Sequence, residues 1–420
     1  MATKSSASLA VQAKAKGHSP VMEPNALPKR GADAPTPGLD GAAQGGLGAL
    51  PMPPVARVGD RLEDVDTPAL ILDLDAFEEN MRTMQALAEL HGVALRPHAK
   101  AHKCPALSLR QVALGARGVC CQKVTEAVPF IQAGVTDILI SNEVVGRHKL
   151  ELLARLAALA RLTVCVDHPE ALAALSAALD AQQSFVDVLV EVDIGQKRCG
   201  VQSHEEAVAL AGQVARLPNV RFAGVQAYHG GIQHKRSFEQ RRSAAEKGMR
   251  RAAGFVDALR SAGYACEVVT GGGTGTVAFD AASGVFTEVQ PGSYAFMDGD
   301  YGAMEWGDAA AFRHALFLLG TVISAPTPDR AVLDVGLKST TAESGLPQVV
   351  GRAGLRCAGL NDEHCILSAD TRGARPTLGE HVRLVPGHCD PTFNLHDEVV
   401  AVRNGVVEAV WPVSARGLSR

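Results

Sequence analysis

The sequence predicts an α/β protein in which a (β/α)8 TIM-type barrel is followed by a β-rich domain. Three observations predict it. Beyond Thr67, short apolar runs alternate with amphipathic stretches, eight times over about 200 residues, as βα repeats do. After Tyr301 the alternation stops, and short strand-like runs separated by Gly, Pro and Asp take over. Polar residues collect at the ends of the first eight runs, where a barrel of this kind gathers its chemistry.

Size and composition agree with two domains. A single core stops growing near ~250–300 residues, so 420 residues call for one large unit and one smaller one. At 46% hydrophobic, the chain has enough apolar surface to bury a full core. A net charge of −4 excludes a basic surface of the kind nucleic acids need, so no nucleic-acid partner is expected. No apolar run approaches the ~18–20 residues of a membrane span, so no membrane partner is expected either. The nine cysteines are odd in number and form no CxxC pair, which fits a reduced intracellular compartment, cytoplasmic by default.

Taken in order, residues 1–60 are rich in Ala, Gly, Pro, Ser and Lys and have no apolar period, so a disordered tail is expected. Its start holds Lys4, Lys14 and Lys16 with no acid before Glu23. That is the composition of a plastid or mitochondrial transit peptide without its usual arginines, or of an untargeted flexible tail. Both readings stay open. Ala69–Asp73 reads as a strand, and Phe77, Met81, Met84 and Leu87 then recur at helical spacing. Eight barrel strands follow at Val93–Pro97, Gly118–Gln122, Asp137–Ser141, Leu162–Asp167, Val186–Asp193, Phe222–Tyr228, Cys266–Thr270 and Thr287–Gln290. Glu206–Leu217 and Phe238–Ala262 are long enough to be crossover helices, and Cys120 and Cys121 fall within a strand that favours packing over metal binding. Runs such as Ala331–Val335, Val382–Val385, Val399–Val402 and Val406–Val410 belong to the second domain. The expected division is a barrel over 76–302 and a β-rich domain made of 61–75 and 303–420.

The first strand ends in Arg96-Pro97-His98-Ala99-Lys100-Ala101-His102-Lys103. A lysine that attacks an aldehyde must be neutral, and nearby cations or burial lower its pKa; Arg96, His98, His102 and Lys103 are candidates for that field. From charge alone, this octapeptide is equally a basic loop in water. The seventh strand runs into Gly271-Gly272-Gly273-Thr274-Gly275-Thr276, and the eighth ends in Gln290-Pro291-Gly292-Ser293-Tyr294. Successive glycines let backbone N–H groups approach an anion, and Thr274, Thr276 and Ser293 add hydroxyls. Loops after strands seven and eight are where such barrels hold phosphate, although a glycine run by itself is more often a tight turn.

These motifs, with Tyr228-His229-Gly230-Gly231, together resemble the fold-type III pyridoxal-phosphate enzymes related to alanine racemase. More narrowly, they are similar to the group of D-threonine aldolases, D-3-hydroxyaspartate aldolases and D-serine dehydratases. The resemblance implies that Lys100 carries pyridoxal 5′-phosphate as a Schiff base. It implies a phosphate pocket at Tyr228, Gly272, Gly273, Thr274, Gly292, Ser293 and Tyr294. It also implies Arg198 beside the ring oxygen and Gln122 beside the ring, with Gln290 where alanine racemase has an arginine.

Near the end stands His388-Cys389-Asp390. In an extended segment residues i and i+2 share a face, so His388 and Asp390 are expected together with Cys389 opposite. Imidazole plus carboxylate suits Mn²⁺ or Mg²⁺. Within the resembled group, His-x-Asp marks the aldolases and His-x-Cys with zinc the dehydratases. The implied activity is metal-dependent cleavage of small D-3-hydroxy amino acids such as D-threonine to glycine and an aldehyde, with His234 as base. The implied assembly is a homodimer, with Asp362 touching substrate within its own chain or across the interface. A D-3-hydroxyaspartate aldolase or a dehydratase is the nearest alternative. A non-catalytic carrier of the cofactor and a phosphosugar enzyme are alternatives of other classes.

Overall fold

The computed structural model describes residues 52–309 and 312–420, and Pro54–Arg420 form one compact unit. Most of the segment expected as a tail, residues 1–51, lies outside the described residues. Its end needs a correction: Val55 and Ala56 pack into an apolar cluster with Ile71 and Val400, and the Gly59 N–H donates to Val407 O at 2.9 Å. These apolar side chains have a sheet face to cover, which the composition of the segment as a whole hides.

Eight parallel strands follow one another around a ring: β2 (Ala94–Leu95), β3 (Val119–Cys121), β4 (Asp137–Glu143), β5 (Arg161–Val166), β6 (Val186–Glu191), β7 (Val220–Ala227), β8 (Val268–Gly271) and β9 (Glu288–Val289). β9 pairs with β2, and the N–H groups of Arg117 and Cys120 donate to Leu95 O and Pro97 O to close the ring. Each of the eight expected strands overlaps one of these. Their Val/Ile/Leu-rich runs reflect burial on both faces, inward on the barrel and outward against helices. Cys120, Leu139, Cys165, Leu189 and Ala223 fill the middle of the barrel.

The crossover helices include α6 (His204–Val214) and α7 (Phe238–Ser261), close to their expected spans. α6 begins earlier than expected because Ser203 and Glu206 form a capping box that satisfies its first N–H groups. No described helix is long and apolar enough to cross a membrane.

The second layer is a nine-stranded sheet. β1 (Ala69–Asp73) runs antiparallel to β10 (Leu316–Thr327) and parallel to β16 (Glu398–Arg403), which pairs with β17 (Val406–Pro412). β10 also pairs with β11 (Arg330–Leu333) and β15 (His381–Val385). The early strand is therefore the centre of the late sheet, and helix α1 (Leu74–His91) leads from it into the barrel. Asp73 caps α1 by accepting from Ala76 N–H, and Phe77 on that helix stacks on Phe296 beyond β9 at 5.7 Å. This packing fixes the β domain over the C-terminal mouth of the barrel.

Candidate active site

Lys100 stands in a single 3-10 turn, Ala99–Ala101, just past β2. Its side chain keeps 42% of its surface accessible, so the amine can be reached from the mouth. The amine forms an ion pair with Asp390 of the β domain. Burial works to lower the Lys100 pKa, but the Asp390 carboxylate outweighs it and holds the amine above its ordinary value. The cationic field expected around Lys100 is not there. Burial drives His98 and His102 each down to about 3, leaving both rings neutral. Lys103 is spent on Glu126 at 3.2 Å and on Asn394 and Ser419. Arg96 points into the barrel, to Asp137 at 2.7 Å and Glu288 at 2.9 Å. Four cationic neighbours in sequence thus become two neutral rings and two cations held in ion pairs.

His388 and Asp390 do come together, but not by the expected geometry. His388 is the extended residue before a short helix, α10 (Cys389–Phe393), rather than part of a strand. Pro391 is compatible with a first helical turn, and Asp298 accepts the Cys389 N–H at 2.9 Å. Imidazole Nε2 and carboxylate Oδ1 face each other at 4.0 Å. Their donor types suit a hard-to-borderline divalent cation, which the two side chains would hold. Cys389 is buried, and burial keeps its thiol well above the ordinary pKa. Against burial, Lys100 and then His388 hold the Asp390 carboxyl below its usual range, so it is ionised.

Two carboxylates that the sequence does not single out meet the imidazoles of His234 and His388. Glu343 meets His388 Nδ1 at 2.7 Å, and Asp300 meets His234 Nδ1 at 2.5 Å. The His234 and His388 rings are 6.4 Å apart, edge to face. The run Met297-Asp298-Gly299-Asp300-Tyr301 directly after strand eight is the available signal for Asp300; nothing local points to Glu343.

The loops expected to hold an anion lie where the seventh and eighth strands end. Thr274 Oγ1 accepts from Tyr294 N–H at 3.0 Å, tying the two loops together. Among the described residues, the backbone N–H groups of Thr274, Gly292 and Ser293 make no hydrogen bond and remain available. Gly272 has φ +71, and a Cβ at Gly273 or Gly292 would come within 2.7 Å of Gln233 Oε1 or 2.9 Å of His98 O. Tyr294 differs from its expected place: its phenol is buried in the core and bonded by Gln111, so only its backbone meets these loops. The Ser293 hydroxyl donates to Asp390 at 3.3 Å.

At the rim, the Arg198 guanidinium lies 5.5 Å from the Tyr228 ring and 3.9 Å from Glu191. Gln122 donates to Ser141 O and to Asn142, beside His98. Gln290 sits deeper, with its amide spent on Gln226 and Thr270. Asp362 stands apart on the exposed turn between β13 (Leu355–Leu360) and β14 (Cys365–Ala369). There, among the described residues, its carboxylate joins no hydrogen bond or ion pair with the site.

A parallel barrel with an amine at its mouth, capped by a β domain that adds a histidine and a carboxylate, defines a class of two-domain barrel enzymes. Residues 72–300 match the alanine racemase N-terminal domain, and residues 315–402 match a putative serine dehydratase domain. The chain belongs to the alanine racemase N-terminal domain family. It is 57% identical to a D-threonine aldolase from Arthrobacter sp over 88% of this chain and 98% of that one. It is 45% identical to a 3-hydroxy-D-aspartate aldolase from Paracoccus denitrificans over 84% and 93%. A crystal structure of D-threonine aldolase from Filomicrobium marinum superposes with a TM-score of 0.86 at 50% identity, covering 87% of this chain and all of that one.

Proposed function

We propose that the chain is a pyridoxal-phosphate-dependent, divalent-metal-assisted aldolase that cleaves D-threonine and related D-3-hydroxy amino acids to glycine and an aldehyde. The observation that carries this reading is the meeting of the Lys100 amine with the His388–Asp390 pair in one site. The similarity to two aldolases over most of the chain supports it. When bound, the cofactor supplies an electron sink for the carbon left by Cα–Cβ cleavage, and the metal ion lowers the pKa of the β-hydroxyl.

The residues divide the work. Lys100 is the amine that would hold the cofactor aldehyde. The free N–H groups of Thr274, Gly292 and Ser293 fit its phosphate, since only glycine leaves room at the narrow points of their loops. Arg198, Tyr228 and Gln122 line the side of the mouth where the ring would lie. His388 and Asp390 would hold Mn²⁺ or Mg²⁺, which imidazole–carboxylate sets favour over softer ions. His234 takes the β-hydroxyl proton. Asp362, exposed on its turn, is assigned to substrate contact within its own chain or across a homodimer interface. Nine cysteines without a disulfide support a reduced, cytoplasm-like compartment.

Incubating the purified protein with D-threonine, pyridoxal phosphate and Mn²⁺ tests the reading. Glycine and acetaldehyde are expected. Formation of 2-oxobutanoate and ammonia instead would establish a dehydratase, and preference for D-3-hydroxyaspartate would reassign the substrate.

A further inference from the structure

We infer that Asp300 is a positioning residue that fixes the His234 imidazole for proton transfer. The inference deepens the aldolase reading and rests on its assignment of His234. Asp300 is only 7% exposed, yet both its carboxylate oxygens are engaged: Oδ2 with His234 Nδ1 at 2.5 Å and Oδ1 with Arg236 Nη2 at 2.7 Å. Arg236 also donates to the Asp300 carbonyl, so the guanidinium grips side chain and backbone together.

The chemistry follows from what each group can donate. An ionised carboxylate only accepts hydrogen bonds, and a neutral imidazole has one N–H. Contact with Asp300 therefore puts that proton on Nδ1 and leaves the lone pair on Nε2. In the transfer, the substrate β-hydroxyl O–H breaks, its electron pair stays on oxygen, and a new N–H forms at Nε2. The resulting imidazolium stays next to the Asp300 carboxylate, which stabilises it. Arg236, on the other oxygen, keeps that carboxylate turned toward the ring.

The backbone holds this arrangement in place. Asp300 lies in the one-turn helix α9 (Gly299–Gly302), capped by Asp298, whose other oxygen accepts from Cys389 N–H. The N–H groups of Gly299 and Asp300 donate to Pro386 O and Gly387 O. One short segment thus anchors both the residue that turns His234 and the chain that carries His388. That arrangement sets the 6.4 Å between the two rings. A merely stabilising ion pair has no need of this register.

The test combines kinetics with ¹⁵N-histidine NMR of the full-length holoenzyme, His234 being assigned by its loss in His234→Gln. The wild-type ring is expected to carry its proton on Nδ1; a proton on Nε2 overturns the inference without any substrate or variant at Asp300. Asp300→Asn is expected to lower kcat by about 10²-fold, with KM for D-threonine changed far less. The double variant His234→Gln/Asp300→Asn is expected to lose no more than His234→Gln alone, because Asp300 acts only through that ring. A loss that multiplies would overturn the inference. If no D-3-hydroxy amino acid is cleaved at all, the aldolase reading fails, and the NMR result still decides the role of Asp300.

Discussion

Lys100 and Asp390 form an ion pair across 290 positions of sequence. One stands beyond the first barrel strand and the other in the first turn of α10, in the β domain. The barrel by itself holds the amine and the glycine-rich loops after strands seven and eight, while the imidazole–carboxylate pair comes from the β-rich sheet's side of the chain. The site is therefore a product of the packing that seats β1, α1 and the late sheet over the barrel mouth.

Metal dependence should be graded by residues behind the ligands. EDTA is expected to abolish cleavage, and Mn²⁺ to restore it. Glu343 fixes the His388 ring through Nδ1, so Glu343→Gln should raise the Mn²⁺ needed for half-activation by about 10–100-fold. At saturating metal, kcat should return close to wild type. A metal titration of both proteins checks this, and coincident curves would remove Glu343 from the account.

Gly273→Ala should weaken cofactor binding as well as the fold. The new Cβ would fall 2.7 Å from Gln233 Oε1, an atom that already accepts from Gly275 N–H at 3.1 Å. The loop must shift, and the free N–H groups beside it shift with it. We expect the Kd for pyridoxal phosphate to rise at least about tenfold, with the stability of the apoprotein lowered by roughly 1–3 kcal/mol. Equilibrium dialysis and thermal melts separate the two effects. Unchanged affinity would remove the loop from the phosphate site.

Much of the fold and part of the site are legible in the amino-acid sequence, for physical reasons. The barrel strands are buried on both faces and announce themselves as Val/Ile/Leu runs, and Lys100, His388 and Asp390 stand in short local motifs. The outer half of β10 is hidden, because bulges between Val322 and Thr327 interrupt its alternation. The pairing of His388 with Asp390 is right for the wrong local reason, since a helix cap rather than a strand brings them together. Glu343 has no local signature, and the acidic run that holds Asp300 does not say which ring it meets, because only tertiary packing brings each carboxylate to its imidazole. Tyr294 misleads in the opposite way: its motif lies in the loop after strand eight, but its side chain lies in the core.

At the opposite end of the barrel, Asp187 lies between Arg161 and Arg221, at 2.9 and 2.8 Å. Burial works to raise its pKa, but the two arginines prevail and hold it below the ordinary value. A depressed folded-state pKa means stability that is present above the unfolded value of about 3.9 and lost as pH falls through the folded one. Asp187→Asn should cost about 1–2 kcal/mol at neutral pH, the partners being half-exposed and able to resolvate. The difference from wild type should shrink below about pH 4. Urea melts at pH 7 and pH 3.5 measure it; a gap that widens in acid would contradict the pairing.

The central claim is that Lys100 is the amine that holds the cofactor. Borohydride reduction of the pyridoxal-phosphate-loaded protein makes a carbon–nitrogen double bond to a lysine permanent, and peptide mass mapping then locates it. The phosphopyridoxyl group is predicted on Lys100 alone, and Lys100→Ala is predicted to take up none. Stoichiometric label on Lys103, Lys123 or any other lysine, with Lys100 unmodified, would contradict the account.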